Sequence, residues 1–156
     1  MRLLYGQDQA VAEWVSRNIP HMAGAAFGPM AAIGVTSQEG NLLAGVVFHD
    51  YQPKFRTMQI SMAAASPKWA TRNTIRLLLS YPFMRCGVEK VWTAMPHTNE
   101  RAIRFNKGIG FVQEAVLAYH FGSSHAVICR LLRKDYLRIY EVVPDGKIDT
   151  LRAACA

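Results

Sequence analysis

Cysteine is scarce. Cys86, Cys129 and Cys155 are the only three in the chain, they lie far apart, and no two stand at the spacing of a zinc-ligand pair. A disulfide framework and a metal site are therefore not indicated, and a reduced, intracellular protein is the default expectation. Acidic residues are also few, 11 Asp and Glu against 18 Lys and Arg, which leaves a formal net charge of +7. That excess favours an anionic partner, and charge alone is compatible with a nucleic acid, a membrane surface or a phosphorylated cofactor. Long apolar runs are missing as well. The opening "MRLLYGQDQAVAEW" carries Asp8 and Glu13 where a signal peptide needs an unbroken apolar region. The run from Met22 to Val35 is too short for a membrane span and is punctuated by Gly28 and Pro29. A soluble, cytoplasmic protein with no membrane partner is expected. With no internal repeat, linker or low-complexity tract, residues 1–156 read as one domain, of which about 134–156 is a C-terminal extension.

What the chain does have is globular composition, 51% hydrophobic and 19% charged residues in a length of 156. At that size roughly two thirds of the unfolded surface can be buried, so no staple is required. "DQAVAEWVSRNI" repeats Ala10, Val11, Trp14, Val15 and Ile19 at the three and four spacing of an amphipathic helix. "AAIGVTSQEGNLLAGVVFHDY" reads as two strands joined by the turn "SQEGN", and "RTMQISMAAASP" as a third strand ended by Pro67. From Thr71 a helix places Ile75, Leu78, Leu79 and Phe83 on one face and stops at Gly87. Pro82 lies inside it, and an interior proline costs about 3 kcal/mol, so the helix is expected to bend or change character near Tyr81.

"KVWTAMP" is the next strand, followed by "NERAIRFNKGIGF". There Asn99 suits an N-cap, Glu100 suits the positive end of the helix dipole, and Gly110 is a stop signal that delivers Phe111 into a following strand. "FVQEAVLAYHFG" and "HAVICRLL" complete the pattern as a hairpin, before a tail holding "YLRIYEVV" and "PDGK". The order predicts an α/β (α+β) fold, a mixed sheet with helices on its faces and a right-handed crossover at its centre.

The segment Ser66 to Arg76, "SPKWATRNTIR", is the candidate binding site. Arg72 and Arg76 stand near the positive end of a helix dipole, where a cation is disfavoured unless something negative is bound. Backbone amides of the first turn, Ala70 to Thr74, form a cradle for an anion, and Lys68, Arg72 and Arg76 add charge. Phosphate is the natural candidate. The small residues Ala63, Ala64 and Ala65 just before it would let a slender ligand lie along the strand.

Thr57 to about Leu132 resembles the GNAT superfamily of acetyl-CoA-dependent N-acetyltransferases, especially the branch resembling ribosomal-protein N-acetyltransferases. The resemblance rests on Pro67, Trp69, Tyr81, Phe83, Asn99, Ala102, Gly110, Phe111 and Glu114, about half of the chain. It implies a single-domain fold whose central parallel strands splay to admit acetyl-CoA. The pantetheine amides would pair with backbone near Ala63, Ala64 and Ala65. The pyrophosphate would rest on the turn containing Trp69, Ala70, Thr71, Arg72, Asn73 and Thr74, and Asn99 and Asn106 would contact the pantetheine arm. Departures from the family pattern are Arg72 where glycine is usual, Ala70 and Thr74 nearby, and Asn106 where a tyrosine acid is common.

The implied reaction is direct acetyl transfer to an amine of a small molecule or a protein. A general base should have a pKa near neutrality, and the third strand holds no carboxylate for the task. His49 and Asp50, at the end of the second hairpin strand, are the first candidates, and Tyr119 and His120 the next; His21, His97 and His125 are given no role. A CoA-binding protein without efficient catalysis is the alternative. A nucleic-acid partner is disfavoured because "CRLLRKDYLR" is the best basic run and no binding motif accompanies it. A homodimer is compatible with this reading.

Overall fold

A computed structural model of the protein describes residues 1–141, so Cys155 and most of the predicted C-terminal extension, "PDGK" included, lie outside the described residues. In chain order the elements are β1 (Arg2–Leu4), α1 (Asp8–Asn18), β2 (Met30–Thr36), β3 (Leu42–Gln52), β4 (Thr57–Ala64), a 3-10 turn (Pro67–Trp69), α2 (Arg72–Ser80) and a π turn (Tyr81–Arg85). They continue with β5 (Lys90–Pro96), α3 (Glu100–Gly108), β6 (Val112–Phe121), β7 (Ser124–Leu132), α4 (Arg133–Tyr136) and a second π turn (Leu137–Glu141). The strands follow the order β1-β2-β3-β4-β5-β7-β6 in a mixed sheet, as the α/β expectation requires. Two compact units share the chain, Met1–Gln52 with Met58–Leu78, and Pro53–Thr57 with the chain from Leu79 on.

In the first unit α1 buries Val11, Ala12 and Val15 against Ala32 of β2 and Val47 of β3. Ala10, expected on that face, is exposed, and Ala12 takes its place. The helix start is fixed by Asp8, whose carboxylate accepts the Ala32 amide at 2.8 Å. The hairpin β2–β3 closes through "SQEGN", with the Ser37 amide donating to the Asn41 carbonyl at 2.9 Å and Gly40 at φ +90°. β1, which pairs antiparallel with β2, has no counterpart in the sequence reading. Three residues are too few to show a period.

In the second unit Pro82 has the effect its ring chemistry dictates. The Cys86 amide reaches back to the Tyr81 carbonyl at 3.0 Å, and the turn ends at Gly87, φ +67°. Leu79 and Phe83 are buried in this unit, and Ile75 and Leu78 in the first, as their spacing predicts. Phe83 stacks on Tyr136 at 5.0 Å between ring centroids, so the start of the tail is packed into this unit. Asn99 caps α3 by accepting the Ala102 amide at 3.2 Å, and Gly110 follows the helix at φ +106°. Phe111 is buried where the chain enters β6. Glu114 sits at a bulge of β6 and pairs with Lys90 at 2.7 Å and Arg130 at 3.9 Å, which makes this motif residue a clasp across three strands.

Candidate functional site

The site begins where β4 ends. Ala63 packs against the α1 core, whereas Ala64 and Ala65 are exposed, and the Ala65 amide is held by the Leu43 carbonyl at 2.8 Å. Ser66 then starts the 3-10 turn, its hydroxyl accepting the Lys68 amide at 3.3 Å, with Pro67 at the first helical position. Trp69, at 3% exposure, is the anchor of this turn and not a surface for a ligand.

The amides expected to be bare are in part already engaged. Ala70 donates to the Pro67 carbonyl at 3.2 Å and Thr71 to the Trp69 carbonyl at 2.9 Å. Thr71 in turn acts as the cap of α2, its hydroxyl accepting the Thr74 amide at 3.1 Å and lying 2.8 Å from the Thr74 hydroxyl. Thr71, Arg72 and Asn73 are exposed at the helix start, Arg76 is half-buried with its guanidinium 3.4 Å from the Asn73 carboxamide oxygen, and the first turn of α2 contains no acid. Arg72 and Arg76 lie at this acid-free helix start, with Lys68 close by in sequence. The Ala70, Thr71 and Thr74 amides are thus taken up within the chain.

On the same unit, β3 and β4 bring together two side chains that the sequence reading did not connect. His49 Nε2 lies 2.9 Å from Ser61 Oγ. The Phe27 ring covers His49 at 5.0 Å between centroids, tilted by 50°. Burial lowers the His49 pKa from its ordinary value of 6.5, opposed by the neighbouring Asp50 carboxylate, so the imidazole is the neutral, proton-accepting form at neutral pH. Asp50 itself is exposed at φ +49°, and its carboxylate accepts from the Gln52 side chain at 3.0 Å. Of the two, His49 has the environment of a base. The signal for Ser61 is the two-residue period of β4, which puts it on the face of Ala63. Phe27 also lines a cleft of about 360 Å³ together with Ala12, Glu13, Ser16, Arg17 and Met30. Glu13 and Arg17 face one another there at 3.7 Å.

In the second unit, Asn99 spends its carboxamide oxygen on the α3 cap. Asn106, at 3% exposure, donates to the Ala102 carbonyl at 2.9 Å and to Met95 Sδ at 3.2 Å, while its Oδ1 is buried with no hydrogen-bond partner. A buried acceptor left unpaired costs about 1–3 kcal/mol. An asparagine there cannot supply an acidic proton.

Tyr119 is 69% exposed at φ +52°, and its amide donates to His125 Nδ1 at 2.9 Å. The His125 amide donates in turn to His97 Nδ1 at 3.1 Å, and the two imidazoles stand 5.1 Å apart. His97 and His125, far apart in sequence, thus act together as acceptors that hold the hairpin backbone. His120 is exposed beside Phe121. Among the described residues no cluster of side chains fits a metal ion, and no helix is long and apolar enough to cross a membrane.

No protein-family model and no curated protein matches the sequence. Solved structures do. A chimera of spermidine N-acetyltransferase SpeG from Vibrio cholerae and hSSAT aligns with 88% of this chain and 99% of its own at 16% identity, TM-score 0.70. The dodecameric spermidine N-acetyltransferase from Vibrio cholerae in its intermediate state aligns over 76% of this chain and 71% of its own at 20% identity, TM-score 0.62. The fold is the GNAT fold. The architecture expected from the motifs at Pro67, Trp69, Asn99 and Gly110 is therefore the one the chain adopts, whereas identities this low carry no assignment of residues or substrate.

Proposed function

We propose that the protein is an acetyl-CoA-dependent N-acetyltransferase that acts on a primary amine of a small molecule or a protein. The observation that carries this is the acid-free, cationic start of α2, which follows the exposed Ala64 and Ala65 after one 3-10 turn on a GNAT-fold scaffold. The residues fit the cofactor. Lys68, Arg72 and Arg76 offer charge to a diphosphate, with the amide end of α2 beside them.

When bound, acetyl-CoA supplies an acetyl group activated as a thioester. The chain's own part is to hold and to deprotonate. His49, neutral because it is buried, is the base that takes the proton released when an amine is acylated. The cleft lined by Glu13, Arg17 and Phe27 is the proposed entry for the acceptor, because its wall includes the ring that covers His49. The spermidine enzymes of like fold take a small-molecule amine. The motif resemblance of this chain leaves the amine of a small molecule and that of a protein both open.

A second reading, a CoA-binding protein without efficient catalysis, is favoured by Asn106, which stands where the family's tyrosine acid would be. Thiol release from acetyl-CoA, measured across a panel of small amines and N-terminal peptides, separates the two. Amine-dependent release supports the transferase. Binding of acetyl-CoA without release from any amine supports the binding protein, and no binding overturns both readings.

A further inference from the structure

The neutral imidazole of His49 has one lone pair available for a proton, and in the tautomer protonated at Nδ1 that lone pair is on Nε2, where it accepts from the Ser61 hydroxyl. That atom lies 2.9 Å from the hydroxyl of Ser61 on the neighbouring strand, a full hydrogen bond between two half-buried side chains. One side of the ring is covered by Phe27 at 5.0 Å. A base in this arrangement cannot meet an incoming amine at Nε2 without first losing its bond to Ser61. The hydroxyl, by contrast, can accept one proton and release another in the same movement, because it is both donor and acceptor and its hydrogen rotates freely.

Position along β4 supports the same role. Ser61 and Ala63 are two residues apart on one strand and so share a face, and Ala63 opens the run of small residues that leads to the cationic start of α2. That face turns toward α1, because Ala63 packs on its core, so the hydroxyl is on the side of the Phe27-lined cleft proposed as the entry of the acceptor. His49 stands behind it on β3.

We infer that Ser61 is a catalytic proton relay, the group that meets the acceptor amine and passes a proton to His49. The inference rests on the transferase reading above. In the step, the amine nitrogen forms a bond to the acetyl carbon, and the bond from that carbon to sulfur breaks with its electron pair leaving on sulfur. The proton shed by nitrogen goes to Ser61 Oγ while the hydroxyl's own proton goes to His49 Nε2. Ser61 ends neutral, His49 ends as imidazolium, and one proton has moved without either side chain changing place. The imidazolium then returns its proton to the departing sulfur or to water. This also removes the need for an acid at Asn106, since the proton taken from the amine is the one available to the thiolate.

The test compares Ser61→Ala, Ser61→Thr and His49→Gln with the unaltered full chain. Thiol release is measured from pH 5 to 9 with the best amine of the panel, and acetyl-CoA affinity is measured by calorimetry. The relay predicts that Ser61→Ala lowers kcat by about a hundredfold, the range of general acid-base effects. Its acetyl-CoA affinity should stay unchanged, and the limb of the pH profile set by His49 should vanish. Ser61→Thr, which keeps the hydroxyl on a side chain suited to a strand, should recover most of the rate and the limb. Wild-type turnover in Ser61→Ala with a slow His49→Gln would overturn the relay and leave His49 as a direct base. Wild-type turnover in both variants would overturn the base assignment as well, and an unaltered chain that turns over no amine would overturn the transferase reading and the relay with it.

Discussion

Val15 occupies the space that a side chain at Gly45 would need. A Cβ built there would lie 2.6 Å from Val15 Cγ2 and 3.0 Å from Val11 Cγ1, and Gly34, directly opposite Gly45 in the β2–β3 register, is crowded by Leu42 at 2.8 Å. The helix α1 thus sits on a cross-strand pair of glycines, as close to the sheet as backbone allows. Gly45→Ala should cost about 1–3 kcal/mol, the usual penalty of overpacking a filled core. Urea unfolding would show a lower midpoint with an unchanged slope. A midpoint equal to that of the unaltered chain would mean that α1 can shift, and that the cleft beside it is not fixed.

Burial of His49 makes a statement about acid stability. Its folded-state pKa is below the ordinary 6.5, so between the two values the unfolded chain holds more protons than the folded one. Stability from this group is complete above about pH 6.5 and is lost as the pH falls through the window below it. Unfolding of the unaltered chain should show this loss, and His49→Gln should flatten it. If the two profiles run parallel, His49 is not buried as described.

Asn106→Leu replaces a carboxamide whose oxygen has no partner by a side chain of similar size. Leu removes two hydrogen bonds, to the Ala102 carbonyl and to Met95 Sδ, together with one unpaired buried acceptor, so the losses and the gain offset to within about 1 kcal/mol in the ligand-free protein. Urea unfolding of the variant and of the unaltered chain should give midpoints that differ by no more than this margin. A much lower midpoint in the variant would show that the carboxamide is fully paired in the folded protein.

Thr71→Ala takes away the hydroxyl that caps α2. Loss of an N-cap costs about 1 kcal/mol, and thermal unfolding without ligand should register it. The Thr74 amide is then released, so inorganic phosphate or acetyl-CoA should stabilise the variant by at least as much as the unaltered chain. A variant that loses ligand stabilisation would show that the Thr71 hydroxyl itself binds the ligand.

Local chemistry was legible in the sequence and cross-strand chemistry was not. Pro82 announced a break near Tyr81 because a missing amide and a fixed φ act wherever the ring stands, and Asn99 and Gly110 announced the ends of α3 because capping is decided within a few residues. Nothing local announces that Ser61 meets His49, since register between β3 and β4 decides it. The same holds for His97 and His125, which join through the pairing of β5 with β7, and for β1, whose three residues acquire a role only beside β2. Thr71 was readable in principle. Its hydroxyl stands three residues before Thr74, the spacing of an N-cap, and the first-turn amides were instead expected to be bare.

The central claim, that the start of α2 serves a diphosphate-bearing acetyl donor, is tested most directly by thermal unfolding with acetyl-CoA, with adenosine as the control. At about a hundred times its dissociation constant a ligand bound only by the folded state adds about 2.7 kcal/mol. The account predicts stabilisation of that size by acetyl-CoA, little by adenosine, and a reduced effect in Arg72→Glu with the fold intact. An unfolding curve that acetyl-CoA leaves unmoved at millimolar concentration would contradict it.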